Sequence, residues 1–121
     1  MEFKNHPPIY LQIADSIRDS IMEGVFKEGA KLDSVRELAS KIKVNPNTVM
    51  RAYSHLQSLE IISNKRGVGF FVTDDASQKI KKELRENFLK NELPEIIQKM
   101  HKLDIDIAEV EHLFLKAKIR S

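Results

Sequence analysis

The sequence predicts a mainly α-helical fold with one small β-hairpin: a winged helix-turn-helix domain over residues 1–74, then a short all-helical tail over residues 75–121. Three observations carry that prediction. Residues 34–59 contain two closely spaced helix starts, each with its own cap residue. Residues 61–73 contain two short apolar segments around a basic turn bearing two glycines. From Asp75 onward, apolar residues recur at spacings of three and four.

Pro7-Pro8 forms a rigid lead-in, and Pro8 suits a first helical turn, where a missing N–H leaves no bond unmade. Tyr10, Ile13, Ala14, Ile17 and Ile21 then define the apolar stripe of an amphipathic helix running to about Gly24. Gly24 and Gly29 bracket a loop whose Val25 and Phe26 are expected to tuck against the core.

Ser34 and Glu37 make a Ser-x-x-Glu capping box for the next helix, with Val35, Leu38, Ala39 and Ile42 as its buried face. Lys41 and Lys43 near its end suit the negative pole of the helix dipole. Asn45 is a good N-cap and Pro46 a good first-turn residue for the third helix. Val49, Ala52, Tyr53, Leu56 and Leu59 form its inward face. Asn47, Arg51, Ser54 and Ser58, flanked by Met50, fall on the opposite side. Ile61–Ser63 and Phe70–Thr73 are expected to be strands, with Asn64–Gly69 turning between them.

In the tail, Ile80, Leu84 and Phe88 recur every fourth residue, and Leu93, Ile96, Ile97, Met100 and Leu103 every third or fourth. Asp106 and Glu109 repeat the capping-box pattern ahead of Ile107, Val110, Phe114 and Ala117. There is no internal repeat and no low-complexity segment.

Composition narrows the function classes. With 121 residues, one compact domain with an appendage is expected. The chain has no cysteine, which excludes disulfides and thiolate metal sites and allows a reducing compartment. No apolar run approaches the ~20 residues that span a bilayer, and the start lacks a secretory apolar core, so a cytoplasmic location is expected. The formal net charge of +2 is evenly spread between the two halves, so any nucleic-acid argument rests on local placement. The mixed charges of Lys79–Glu86 are those of a wet helix face. His101, His112 and Glu109 lack a diagnostic metal spacing and are taken as solvated. No phosphate-binding loop, nucleophile motif or pair of catalytic acids is evident, so neither an enzyme nor a cofactor is expected.

Five segments, in one consistent order over residues 7–73, resemble the GntR family of bacterial transcription regulators. They are Pro8-Ile9-Tyr10-x-Gln12-Ile13, Gly24-x-Phe26-x-x-Gly29-x-x-Leu32, Ser34-Val35-Arg36-Glu37-Leu38-Ala39, Asn47-Thr48-Val49-x-Arg51-Ala52-Tyr53-x-x-Leu56 and Arg66-Gly67-x-Gly69. The short tail resembles the YtrA-type subgroup. The resemblance implies double-stranded DNA as partner, a homodimer joined through the tail, and regulation of nearby genes, often for transport. Two positions depart from the family pattern. Asp33 replaces the usual proline and is expected to offer an alternative helix cap. Glu60 replaces the usual glycine, which is expected to change how the third helix ends.

The expected DNA-binding residues are Arg36, Asn45, Asn47, Thr48, Arg51, Lys65, Arg66, Gly67 and Gly69. The resemblance gives Arg36 a DNA contact; a solvated arginine paired with Glu37 or Asp33 is the alternative. Asn45 serves first as a cap. Asn47 can meet an adenine edge in a bidentate way. Thr48 sits where a helix N-terminus attracts phosphate. Many relatives carry arginine where Pro46 stands, which shifts base reading to Asn47 and Arg51; a surface ion pair is the alternative for Arg51. Lys65 and Arg66 are expected to clamp the minor groove or its phosphates, with Gly67 and Gly69 permitting close approach. A winged helix used only for protein contact would lack these cations. Leu93, Ile97, Met100, Leu103, Val110 and Phe114 are the expected dimer stripe. An effector is unidentified, and room for one is expected between tail and wing or across the dimer.

Overall fold

The structure, a computed structural model, describes residues 6–120, and side chains as far as residue 117. The elements run α1 (Ile9–Met22), α2 (Val35–Ile42), α3 (Pro46–Ser58), β1 (Ile62–Lys65), β2 (Gly69–Val72) and α4 (Ala76–Asn87). A π-helical turn (Phe88–Glu92), α5 (Leu93–Lys102) and α6 (Ile107–Arg120) follow. Residues fall into two compact units, 1–82 and 83–121.

In the first unit, α1, α2 and α3 enclose a core of Ile13, Ala14, Ile17, Ile21, Ala39, Val49, Ala52, Tyr53 and Leu56, closed by Ile61, Ile62, Phe70 and Val72 from the hairpin. Ala76 and Ile80, at the start of α4, are also buried there. Pro8 stands one position before the expected first turn: it is the N-cap of α1, and its carbonyl accepts from Leu11 and Gln12 N–H.

The capping box of α2 is complete, with Glu37 N–H donating to Ser34 Oγ at 3.1 Å and Ser34 N–H donating to Glu37 Oε1 at 2.9 Å. Asp33 offers no cap; its carboxylate accepts from Lys41 Nζ at 2.9 Å. Ile42, expected inside, is 42 % exposed. The helix stops there because Lys43 turns left-handed at φ 57°, and Val44 packs on the core instead. Val25 likewise points outward, at 67 % exposure, while Phe26 packs inward.

Glu60 ends α3 as a glycine would. It takes φ 60° itself, and Glu60 and Ile61 N–H donate to Gln57 and Leu56 carbonyls in the double bond pattern of a left-handed helix stop. Thr73 Oγ1 at 2.9 Å and Lys79 Nζ at 3.1 Å both donate to the Glu60 carbonyl and hold it in place.

The hairpin is antiparallel, pairing Ile62 with Val72 and Lys65 with Gly69. The strands extend further than the apolar pattern implies, so the turn is shorter than expected: Asn64 and Lys65 are strand residues, and Arg66–Val68 alone form the tip. The segment before α2 also runs beside β2, where Leu32 N–H donates to the Phe70 carbonyl and Val72 N–H to the Ala30 carbonyl, each at 2.8 Å.

In the second unit, Pro94 explains the π turn. Its ring has no N–H and crowds the carbonyl four residues back, so the preceding turn widens. Leu93 N–H accordingly reaches back five residues to the Phe88 carbonyl. Asp106 caps α6 by accepting from Glu109 N–H at 3.1 Å. Asp104, at φ 56°, ends α5 as Glu60 ends α3. No described residue of 83–117 is buried.

Candidate nucleic-acid interface

The cap of α3 sets the chemistry of its exposed end. Asn45 Oδ1 accepts from Asn47 N–H at 2.8 Å, and the Asn45 carbonyl accepts from Thr48 N–H at 2.9 Å and Val49 N–H at 3.3 Å. Pro46 has no N–H to offer. The first-turn backbone donors are therefore engaged within the helix, so the attraction for phosphate expected of them falls to side chains. Asn47 is exposed and Thr48 half-buried.

Arg36, the second residue of α2, is exposed. Neither carboxylate weighed as an alternative partner for it pairs with it: Asp33 takes Lys41, and Glu37 takes the Ser34 amide. Ser34, by capping α2, fixes the turn from which Arg36 projects.

Arg51 lies on the outer side of α3 with Ser54 and Ser58, all exposed. Its guanidinium carbon sits 4.1 Å from the centroid of the Tyr10 ring of α1. That stack takes the place of the surface ion pair weighed for it. It was illegible in the sequence, where Tyr10 belongs to the inward stripe of α1.

At the wing, Arg66 is exposed at the tip and Gly67 takes φ 77°. Lys65 belongs to β1 rather than the tip, and its Nζ lies 4.4 Å from the centroid of the Phe71 ring. Gly69 combines φ 136° with close packing: a Cβ there would meet Lys31 Cε at 3.1 Å. Lys31 is therefore a further cation beside the wing that sequence spacing alone did not reveal. Its signal was its position one residue before Leu32, in the segment that pairs with β2.

In the second unit, Leu93, Met100 and Val110 are half-buried, while Ile97, Leu103 and Phe114 are 40, 59 and 67 % exposed. Leu89, Leu113 and Leu115 add exposed apolar surface that the stripe left out. An open cleft of about 650 Å³ at the α5–α6 turn is lined by Ile97, Met100, Ile105 and Ile107 with His101, Asp104 and Asp106. Among the described residues, no three His, Asp or Glu side chains could share a metal ion.

Residues 9–72 match the family described as bacterial regulatory proteins, gntR family. The chain is 41 % identical over 95 residues to the uncharacterised HTH-type transcriptional regulator YhcF of Bacillus subtilis, covering 74 % of this chain and 78 % of that protein. It is 34 % identical over 113 residues to the HTH-type transcriptional repressor YtrA of the same organism, covering 93 % of this chain and 85 % of that one. Among solved structures, a GntR-family transcriptional regulator from Bacteroides thetaiotaomicron superposes with a TM-score of 0.81 at 44 % identity, covering 93 % of this chain and 98 % of its own.

Proposed function

Because the chain belongs to the GntR family of bacterial regulatory proteins, with the winged helix-turn-helix and short tail of its YtrA-type relatives, we propose that it is a dimeric repressor of a near-palindromic operator. A DNA-binding transcriptional regulator, not an enzyme, is what its relatives are. The observation that carries the finer reading is the pairing of two surfaces. One is a set of exposed cations on α2, α3 and the wing, Arg36, Arg51 and Arg66. The other is the segment 83–117, where no described side chain is fully buried within one chain.

In this reading, α3 enters the major groove and presents Asn47 and Arg51 to base edges or flanking phosphates. Asn45 holds the helix start, Thr48 meets a phosphate through its hydroxyl, and Arg36 approaches beside them. Arg66, with Lys65 behind it, enters the minor groove, where Gly67 and Gly69 keep the backbone narrow. Two chains joined through Leu93, Ile97, Met100, Leu103, Val110 and Phe114 set two recognition helices against two half-sites. Occupancy then blocks a promoter, in keeping with the relative named a repressor. By the same resemblance, transport genes near its own are the expected targets.

Gel-shift titration on the DNA upstream of its own operon, with random DNA as competitor at moderate salt, tests the reading. A retained, salt-sensitive preference for the upstream DNA supports it. Equal affinity for random DNA ends it.

A further inference from the structure

Arg51 and His55 stand one turn apart on α3, and both meet the same ring from α1. The Arg51 guanidinium lies over the Tyr10 face, 4.1 Å from its centroid, while the His55 ring meets Tyr10 edge-on at 6.2 Å and 81°. Tyr10 is half-buried and packed on the core, so its ring is a fixed platform. Arg51 is exposed, and none of the ion pairs found among the described residues involves it.

A guanidinium stacked on an aromatic face uses only its own face. Its five N–H groups lie in its plane, directed away from the ring. The stack restricts a flexible side chain without consuming a donor. An ion pair in the same place would fix Arg51 equally well but would occupy the fork that a DNA acceptor needs.

We propose that Tyr10 is a positioning residue for DNA recognition: it holds the Arg51 guanidinium over its ring face, with the donor fork open to a paired acceptor on DNA. This rests on the reading of α3 as the recognition helix. The acceptor chemistry is two neighbouring hydrogen-bond acceptors, supplied by phosphate oxygens or by guanine O6 and N7. α1 thereby contributes to recognition through α3 and not by contact of its own.

The test uses the full chain, with Tyr10→Phe, Tyr10→Leu, Arg51→Ala and the Tyr10→Leu/Arg51→Ala double variant. Proton NMR of the free protein reads the stack directly. Upfield ring-current shifts of the Arg51 δ protons are expected in wild type and Tyr10→Phe, and their loss in Tyr10→Leu. Absence of those shifts in the folded wild type overturns the proposal whatever the DNA results. Fluorescence anisotropy on the upstream DNA then reads the consequence. Tyr10→Leu is expected to weaken binding roughly two- to fivefold, the factor set by an exposed cation–π contact, and Tyr10→Phe to leave it unchanged. In the Arg51→Ala background, Tyr10→Leu should cost nothing more. An equal loss in that background, or wild-type affinity in Tyr10→Leu, overturns the proposal. For Arg51→Ala, a salt slope lower by about one with sequence preference retained identifies a phosphate; an unchanged slope with preference lost identifies guanine. If wild type has no preference for the upstream DNA, the functional reading fails, and the NMR result still decides the stack.

Discussion

The Tyr53 hydroxyl donates a 2.7 Å hydrogen bond to the backbone carbonyl of Asp33, twenty positions earlier in the chain. It ties the middle of α3 to the residue before the α2 cap. Tyr53 is 1 % exposed, and its ring meets Phe70 of β2 in an edge-to-face contact at 4.9 Å. Burial, helped by the negative charges of Asp33 and Glu37, pushes the Tyr53 hydroxyl up from 10.0 to about 12.

This shift makes a signed prediction. A raised folded value means that the stability it represents is fully present below the ordinary tyrosine range and is lost as pH rises from about 10 through about 12. Absorbance titration of tyrosinate should show an ionisation near 12 that coincides with loss of helical circular dichroism. Separately, Tyr53→Phe should lower stability by about 1 kcal/mol in urea unfolding, since it removes one hydrogen bond and keeps the ring. An unchanged midpoint would mean that water replaces the hydroxyl without cost.

At the same end of α2, Ser34→Ala should destabilise the domain by about 1 kcal/mol, the usual worth of an N-cap hydroxyl, read by the same unfolding curve. The bonds that Glu37 accepts from the Ser34 amide and hydroxyl hold its carboxyl below the usual carboxylate range. Its contribution is therefore present above 4.5 and declines as pH falls through the lowered folded value. Wild type should lose stability more steeply than Glu37→Gln on acidification below pH 4.5; parallel curves would refute this.

Glu60→Gly should raise stability. A side chain in the left-handed region costs about 1 kcal/mol relative to glycine, and the Glu60 carboxylate gains only a loose, exposed approach to Lys79 at 3.9 Å. Thermal melting should move upward by a few degrees. A lower midpoint would show that the carboxylate matters more than the strain.

Arg36→Ala and Arg66→Ala should differ in character. Loss of a base-reading arginine weakens specific binding by about 1–3 kcal/mol and relaxes preference at one position. Loss of a phosphate contact weakens all sequences alike and lowers the salt slope by about one. Arg66, at the exposed wing tip, is expected to show the second pattern and Arg36 the first. Anisotropy titrations at several salt concentrations distinguish them.

Phe114→Glu, placed where the side chain is 67 % exposed in the single chain, should separate the proposed dimer while leaving unit 1–82 folded. Sedimentation should give half the wild-type mass with the helical signal of the winged unit retained. A mass equal to wild type would remove Phe114 from the interface.

Local chemistry makes much of this architecture legible in the sequence. The Ser34/Glu37 box and the Asn45-Pro46 start are self-contained signals, because cap and partner lie within a few residues. The inward face of α3 followed from periodicity alone, and Val49, Ala52, Tyr53 and Leu56 are all buried. What escaped depends on residues far apart in sequence. Asn64 and Lys65 have little strand preference of their own and are carried into β1 by pairing with Phe70 and Gly69. Ile42 fits the stripe but loses its place when Lys43 turns the chain. The Tyr10–Arg51 stack joins two helices whose own patterns give no sign of each other.

The absence of a buried side chain among the described residues of 83–117 has one further consequence. Under the pairing proposed above, the order of residues 83–117 depends on how many copies of the chain are present. The species able to fill two half-sites then rises with the square of protein abundance while monomers predominate. A promoter under its control would respond to synthesis and dilution of the regulator over a narrower range than a one-to-one binder allows. The missing tail core thus becomes a gauge of protein quantity.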